Sequence, residues 1–540
     1  MTTLHDLLTR ALGLHQAGET DRATALYRSI LAVDPAQTDA LHLLGLLSRH
    51  TDPPHGAMLV ARALRQMPVH SGALFNQANS LLQMGRFDAA MAHFRRKLEV
   101  DPDCAMTLSR LGRDALARGR IDEAERWLRR AAAMETGDAA SPILLRHALE
   151  RCATARAIRD DAADPSLPPG LVVRGVFRDN SGYAYVVRRF AQELVAAGIH
   201  VRLVDLNYGG VDNLPDSQID PLLFSLDRPV RAKAVLTITT PPAVEAIPGL
   251  KTINFSMFEA VDIPPLWAGF SRSHDHVVVA TESSRMAWLR AGHPEDRVHI
   301  CPAGVEANAL GNAPGGTSHV APAFIVDNLG RRLADYPVRI LNVSDFNDRK
   351  NLDGILRVWL RATRRDDPAA LLLKPGKGAG VSAGMRDLLT RVSAQTGRTL
   401  EQAAPVFLAE GKLSDAEMTS LHAASTHYWS MSHGEGWDLP MAQAGAMGLT
   451  LLAPDHSAYH AYLDAQVAYM IPSAVTPGIG PYADQNWWSP DEDEAARLLR
   501  AVIDDPAGTR RSAQAHLLEH FSWQAATRRL IALLRELDAL

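Results

Sequence analysis

Apolar and polar positions in residues 1–135 alternate with the spacing of amphipathic helices, and this pattern repeats along the chain. Four alanines recur at intervals of 34, 33 and 34 residues: Ala23, Ala57, Ala90 and Ala124. Three prolines follow nearly the same step: Pro35, Pro68 and Pro102. Small residues allow paired helices to approach closely, and proline ends the helix before it. The pattern therefore predicts an all-α array with two short helices in each repeat.

The array resembles the tetratricopeptide repeat family, which has this period and two helices per unit. The third unit is the clearest, with Gly85-Arg-Phe-Asp-Ala-Ala followed by Phe94 and Val-Asp-Pro102. We predict a tetratricopeptide solenoid over residues 1–138. The resemblance implies a groove that binds a protein partner, and a rigid spacer or a dimerisation surface is the alternative.

The rest of the chain alternates buried strands with helical patterns, which predicts parallel sheets. A connecting helix and a Pro-rich linker are expected over 139–168. The first strands expected lie at 171–177, 201–204, 235–239, 252–256 and 277–280, and a second series lies at 338–343, 370–374, 406–409, 427–431 and 449–453. We predict two Rossmann-like domains at 169–325 and 326–525 and a C-terminal helix at 526–540.

Composition is that of a folded protein, with 46% hydrophobic and 22% charged residues and a net charge of -5. This charge disfavours nucleic acid as a main ligand. Cys104, Cys152 and Cys301 are too far apart in sequence for a disulfide framework or a CxxC metal site. The N-terminus has no apolar signal core, and no uncharged apolar run reaches the roughly 20 residues of a membrane span. We therefore expect a cytoplasmic protein without a transmembrane segment.

One motif follows a predicted strand and opens a helix: His433-Gly-Glu-Gly-Trp-Asp-Leu-Pro440, continued to Gln443 and Gly448. It resembles the sugar-nucleotide site of glycosyltransferase family 4, which has the GT-B fold of two Rossmann-like domains. That site is written as two glutamates separated by seven residues, and here the second glutamate is Gln443. Flanking matches occur at Asp348-Arg-Lys-Asn351 and at Phe258-Glu259.

The resemblance implies roles for three catalytic candidates. Glu435, the first glutamate of the motif, would accept hydrogen bonds from hydroxyls of the donor sugar. Lys350 would neutralise the charge that develops on the leaving diphosphate. Glu259 is the third candidate, with a structural carboxylate as the equally weighted alternative.

The resemblance also implies a set of donor-binding residues: Arg349, Gly434, Gly436, Trp437, Leu439, Gln443 and Gly182. Arg349 would assist Lys350, backbone amides of the Gly434–Leu439 turn would bind hydroxyls or phosphate, and Gly182 would face the cleft. Gln443 keeps an acceptor but no charge, so we expect ribose binding to be weakened by about 1–2 kcal/mol.

Enzymes with this fold generally use no catalytic metal, so we expect no metal. We also expect no cofactor, because the nucleotide diphosphate sugar is a substrate.

The predicted function is that of a retaining hexosyltransferase that uses a nucleotide diphosphate sugar. The fused repeats favour a protein acceptor. One alternative is a transferase of polysaccharide or lipid-linked glycan synthesis whose repeats serve assembly. The other, raised by Gln443, is a catalytically degenerate binding scaffold.

Overall fold

The computed structural model describes residues 3–49, 51–134, 140–206, 213–307, 331–376, 381–409 and 411–540. It divides the chain into two compact units. Unit 1 comprises Met1–Asp160, Pro241–Leu250 and Pro264–His274, and unit 2 comprises Asp161–Thr240, Lys251–Ile263 and Asp275–Leu540.

The helices, numbered in chain order, are α1 Leu4–Gln16, α2 Thr20–Val33, α3 Thr38–Ser48, α4 Pro53–Gln66, α5 Ser71–Gln83, α6 Phe87–Val100, α7 Ala105–Ala117, α8 Ile121–Ala133, α9 Ala140–Ala163, α10 Gly182–Ala196, α11 Pro221–Phe224, α12 Pro265–Ser271, α13 Glu282–Arg290, α14 Leu352–Ala362, α15 Val381–Thr396, α16 Asp415–Ala423, α17 Leu439–Ala446, α18 Glu492–Asp504, α19 Gln514–Phe521 and α20 Trp523–Glu536. The strands are β1 Pro169–Gly175, β2 His200–Asp205, β3 Arg231–Ile238, β4 Lys251–Ser256, β5 His276–Val279, β6 Val298–Ile300, β7 Val338–Val343, β8 Ala369–Lys374, β9 Val406–Leu408, β10 His427–Trp429, β11 Thr450–Asp455, β12 Tyr469–Pro477 and β13 Asn486–Pro490.

Unit 1 is built on successive helix pairs, from α1 with α2 to α7 with α8. The four repeated alanines are buried in these pairs. Gly18, Gly85 and Gly119 end the first helix of their pairs with φ of 78°, 68° and 73°, a conformation that glycine adopts without strain.

A periodic hydrogen bond also joins consecutive repeats of unit 1. An arginine of α4, α6 and α8 donates to the carbonyl oxygen of the proline one repeat earlier: Arg62 to Pro35 at 3.2 Å, Arg96 to Pro68 at 3.1 Å and Arg130 to Pro102 at 2.8 Å. The prolines thus supply the acceptor that fixes the spacing of the repeats, besides ending the helices.

Two later segments of the chain pack within unit 1. Phe270 of α12 makes an edge-on contact with Phe87, with ring centroids 4.5 Å apart. The Ala246 N–H donates to the Ala117 carbonyl at 3.0 Å, and Arg151 forms an ion pair with the buried Glu245. Unit 1 therefore includes residues that the sequence analysis assigned to the domain at 169–325.

Unit 2 contains two sheets, each the core of a lobe. In the first lobe six parallel strands lie in the order β2-β1-β3-β4-β5-β6. In the second lobe the order is β13-β12-β11-β10-β7-β8-β9, and only the edge pair of β12 and β13 is antiparallel. Apolar runs such as Leu371–Leu373 are buried completely, as strands covered on both faces require.

The strand order of the second lobe reverses between β7 and β10, which are neighbours in the sheet. Ligands of doubly wound sheets bind at the carboxyl ends of the strands beside such a reversal. Lys350 follows β7 and Glu435 follows β10, so the topology brings the two segments together.

The predicted fold class, an all-α repeat array followed by an α/β GT-B unit, is confirmed. Each of the ten predicted strands is present, and α9 is the predicted connecting helix. Strands β6, β12 and β13 were not predicted. The predicted boundaries at 138 and at 325 lie outside the described residues, so they stay predictions.

Candidate active site

A turn after β7 carries the predicted cations. Residues Asp348–Lys350 form one 3₁₀ turn, and Asn351 follows it in a left-handed conformation with φ 53°. The Asn351 side chain accepts from Gly354 N at 3.0 Å, which caps α14, and donates to the Met431 carbonyl at 3.0 Å. Because asparagine tolerates this conformation and offers both a donor and an acceptor, it fastens the turn to the loop after β10.

The loop after β10 holds the same turn from the other side. The His433 N–H and the Ser432 hydroxyl both donate to the Arg349 carbonyl, at 2.7 and 3.2 Å. The loop ends at Asp438, whose carboxylate caps α17 by accepting from Met441 N at 3.4 Å.

The carboxylate of Glu435 lies between two cations. Lys350 Nζ is 2.7 Å from Oε1, and Arg349 Nη1 is 3.0 Å from Oε2. Arg349 also donates to the Gly434 carbonyl at 2.6 Å. Burial alone would raise the pKa of Glu435, but the two adjacent cations outweigh it and hold that pKa well below its usual range. The two cations that hold Glu435 line the cavity, where they can bind an anionic ligand.

Glu259 approaches this cluster from the first lobe, on the segment after β4. Burial raises the pKa of Glu259, and the negative charge of Glu435 raises it further, whereas the positive charge of Arg349 lowers it.

Tyr482 lies in the turn between β12 and β13 and hydrogen-bonds to Arg349. Burial and the nearby Glu259 raise the pKa of Tyr482 to about 12. Sequence reasoning missed Tyr482, because no motif marks the turn that carries it.

The two glycines of the motif allow the lobes to meet closely. A Cβ at Gly434 would lie 1.7 Å from the carbonyl oxygen of Glu259, and one at Gly436 would lie 2.7 Å from Cβ of Met257. Any side chain at Gly434 would therefore push the Met257–Glu259 segment away. The glycines serve this contact between lobes in addition to the backbone presentation expected from the sequence.

A cavity of about 430 Å³ opens between the lobes. This volume is within the range of small-molecule sites. Nine of the ten predicted site residues line it: Glu259, Arg349, Lys350, Glu435, Gly436, Trp437, Leu439, Gln443 and Gly182. The tenth, Gly434, contributes the carbonyl that holds Arg349. The structure thus brings the predicted residues together, while their roles stay predictions.

Two of the predicted donor-binding residues have additional contacts. The Trp437 ring is buried against Tyr462 and Phe521, with centroids 4.9 and 5.6 Å away. The Gln443 amide hydrogen-bonds to the backbone of Glu306. Both side chains therefore also stabilise the wall of the cavity.

Asp438 is a further cavity residue that the sequence analysis did not single out. Its carboxylate is buried and accepts from the Tyr459 hydroxyl at 2.8 Å. Burial first, and the charge of Glu435 second, raise its pKa to about 6. Its position three residues after Glu435 and before a helix was the available signal.

No group of three or more His, Cys, Asp or Glu side chains among the described residues is arranged to hold a metal ion. Within the described part of the chain, no helix combines the length and the apolar character needed to cross a membrane.

Comparison with protein families matches residues 81–141 to the tetratricopeptide repeat family. Among curated proteins, no sequence matches the chain. Residues 81–141 therefore carry the tetratricopeptide repeats that the sequence predicted, and the two parallel-rich sheets of unit 2 are the arrangement predicted for its α/β part.

Several solved structures are similar. Sucrose-phosphate synthase from Thermosynechococcus elongatus is 14% identical, with 69% of this chain and 99% of that chain covered and a TM-score of 0.49. Anabaena HepE in complex with UDP and glucose is 13% identical, with 68% and 100% covered and a TM-score of 0.47. A Thermobaculum terrenum O-GlcNAc transferase mutant is 15% identical, with 99% and 98% covered and a TM-score of 0.40.

Proposed function

We propose that this protein is a glycosyltransferase that takes a sugar from a nucleotide diphosphate sugar. The observation that carries the proposal is the Glu435 carboxylate held between Arg349 and Lys350 in the cavity between the lobes. A donor of this class has an anionic diphosphate and a polyhydroxylated sugar. The site offers cations for the first and buried carboxylate acceptors for the second.

In this mechanism the diphosphate lies at Lys350 and Arg349, near the N-terminus of α17, where the helix dipole favours an anion. Lys350 neutralises the charge that develops on the leaving oxygen as the bond between the sugar and the diphosphate breaks. Glu435 orients the sugar by accepting hydrogen bonds from its hydroxyls. Arg349 is oriented in turn by the Gly434 carbonyl and Tyr482.

The acceptor hydroxyl attacks the anomeric carbon from the face that the diphosphate leaves, so the configuration is retained. The new bond joins the acceptor oxygen to that carbon, and the hydroxyl proton passes to the leaving diphosphate oxygen. No side-chain base is needed in this scheme. Glu259, whose pKa is raised by burial, serves as an additional hydrogen-bonding group on the acceptor side of the cluster.

The proposed acceptor is a protein bound by the repeats. Unit 1 has the helix pairs of a tetratricopeptide array, a repeat class used mainly to bind proteins. Recruitment by such an array would raise the local concentration of the acceptor at the cleft. The cytoplasmic location stays a prediction.

The first test is calorimetric titration of the whole chain with UDP-, GDP- and dTDP-sugars, followed by transfer assays with the sugar that binds. Lys350→Met is expected to lower transfer about 100-fold or more, since it removes roughly 3 kcal/mol of transition-state stabilisation. Lys233→Met removes an exposed lysine that also pairs with a carboxylate, that of Asp538, but does not line the cavity, and it is the matched control. Absence of binding to every sugar would contradict the proposal and favour the scaffold alternative.

A further inference from the structure

The side chain of Gln443 makes a two-point contact across the cleft. Its Nε2 donates to the carbonyl oxygen of Glu306 at 2.6 Å, and its Oε1 accepts from the Glu306 N–H at 3.4 Å. Gln443 lies on α17 of the second lobe, whereas Glu306 follows β6 of the first lobe. Only a side chain with both a donor and an acceptor can satisfy both backbone groups.

Glu306 in turn is fastened to α10. The Tyr185 hydroxyl donates to Glu306 Oε1 at 2.9 Å, and Arg189 is 3.0 Å from Oε2. Helix α10 begins at Gly182, and Gly182, Tyr183 and Tyr185 line the cavity. The contacts of Glu306 therefore connect the donor-side helix α17 to the opposite wall of the cavity.

A second contact joins the same helix to the second lobe. Arg188 of α10 is buried and places Nη2 at 3.0 and 3.1 Å from the two carboxylate oxygens of Asp415, the first residue of α16. Its Nη1 donates to the Phe177 and Asp179 carbonyls at 2.9 and 2.7 Å. Helix α10 is thus held to the second lobe at two separate points.

We propose that Gln443 is a positioning residue that holds Glu306 and α10 against the donor-side lobe, and that it is not a ribose ligand. A glutamate at this position would set a carboxylate against the Glu306 carbonyl oxygen and add a second negative charge near the Glu306 carboxylate. The contact therefore gives a physical reason why position 443 is glutamine here, whereas the family that this chain resembles has glutamate. The inference rests on the proposed function only for the identity of the cavity ligand.

Hydrogen exchange of the whole chain tests the positioning role without any assay of transfer. Gln443→Leu and Gln443→Glu are both expected to accelerate exchange of the backbone amides of residues 303–306 at least tenfold. Gln514→Leu is the matched control, because the Gln514 amide also donates to a backbone carbonyl, that of Ala446, at 3.0 Å. Exchange unchanged in both Gln443 variants would overturn the proposal.

Calorimetry with UDP and GDP separates positioning from ribose binding. For the nucleotide that binds, Gln443→Leu is expected to change Kd less than threefold, while transfer shows a lower kcat with the donor KM nearly unchanged. A tenfold loss of nucleotide affinity in Gln443→Leu that Gln443→Glu restores would instead identify a ribose ligand. If the unmodified chain binds neither nucleotide, the proposed function loses support, and the exchange experiment still decides the role of Gln443.

Discussion

Ionisation of the buried Asp438 carboxylate lowers the free energy of unfolding. It caps α17 from a left-handed backbone conformation with φ 52°, and its buried carboxylate lies in the electrostatic field of Glu435. Its pKa rises from 3.8 to about 6. Because the folded state binds the proton more tightly, this residue's contribution favours folding below about pH 4 and is lost as the pH rises through about 6.

Asp438→Asn removes the ionisable group and with it this pH-dependent loss of stability. The amide oxygen keeps the helix cap by accepting from Met441 N, and the amide nitrogen donates to the Tyr459 hydroxyl, which can itself donate to Ser430. Asparagine also tolerates the left-handed conformation. We expect the free energy of unfolding at pH 8 to rise by about 2–3 kcal/mol, with the gain vanishing near pH 4. Urea unfolding at several pH values measures it, with the exposed Asp493→Asn as control. A gain that is independent of pH would contradict the explanation.

At the scale of elements, the junction between the 348–350 turn and α14 depends on Asn351. Asn351→Ala keeps a Cβ in the left-handed region and loses both the helix cap and the bond to Met431. We expect it to lower the free energy of unfolding by about 2–4 kcal/mol. Asn351→Gly relieves the backbone strain and should lose less, about 1–2 kcal/mol.

Chemical denaturation of both Asn351 variants checks this order, and donor binding reports whether Arg349 and Lys350 remain in place. Equal losses in the two variants would show that the backbone conformation contributes nothing. A loss confined to donor binding would place the role of Asn351 in the site alone.

The elements that sequence predicted share one property, which is that a local pattern determines them. Runs such as Leu371–Leu373 are apolar enough to predict a buried strand, and the motif around Glu435 predicts a strand followed by a helix. The family resemblance of the two motifs implied that Lys350 and Glu435 act on one ligand, and the strand reversal explains why they meet.

The missed features depend on contacts between distant segments. Strands β12 and β13 form an edge pair in which Val475 is exposed, so no continuous apolar run marks them. Tyr482 reaches Arg349 only because that pair extends the second sheet. The link from Glu306 to Gln443 spans 137 residues and has no pattern in the sequence.

At the scale of the whole molecule, unit 1 is not a continuous stretch of the chain, so truncation at a single position cannot separate it from unit 2. Its segments Pro241–Leu250 and Pro264–His274 follow the first strands of unit 2. Val244 and Glu245 are buried within the structure, and Glu245 pairs with Arg151 of α9. Removing residues 1–163 would therefore expose an apolar surface and remove Arg151 from the buried Glu245 carboxylate.

We expect a chain of residues 164–540 to be aggregation-prone, and the replacement of Val244 and Phe270 by serine to restore much of its solubility. Size-exclusion chromatography of the two truncated chains beside the full chain measures the difference. A monodisperse, stable 164–540 chain without replacements would show that the two segments contribute little to stability.

The interleaving of the two units also sets an order of events during synthesis. Helix α9 ends at Ala163, but the last segment of unit 1 ends at His274, about 110 residues later. At the usual rate of translation this interval lasts roughly 5 to 20 s. The surface of the helical repeats that receives Ala246 stays uncovered until Pro241–Leu250 has been made, and the surface that receives Phe270 stays uncovered until Pro264–His274 has been made. The repeats, although made first, reach their final packing only after β4 of the first sheet has been synthesised.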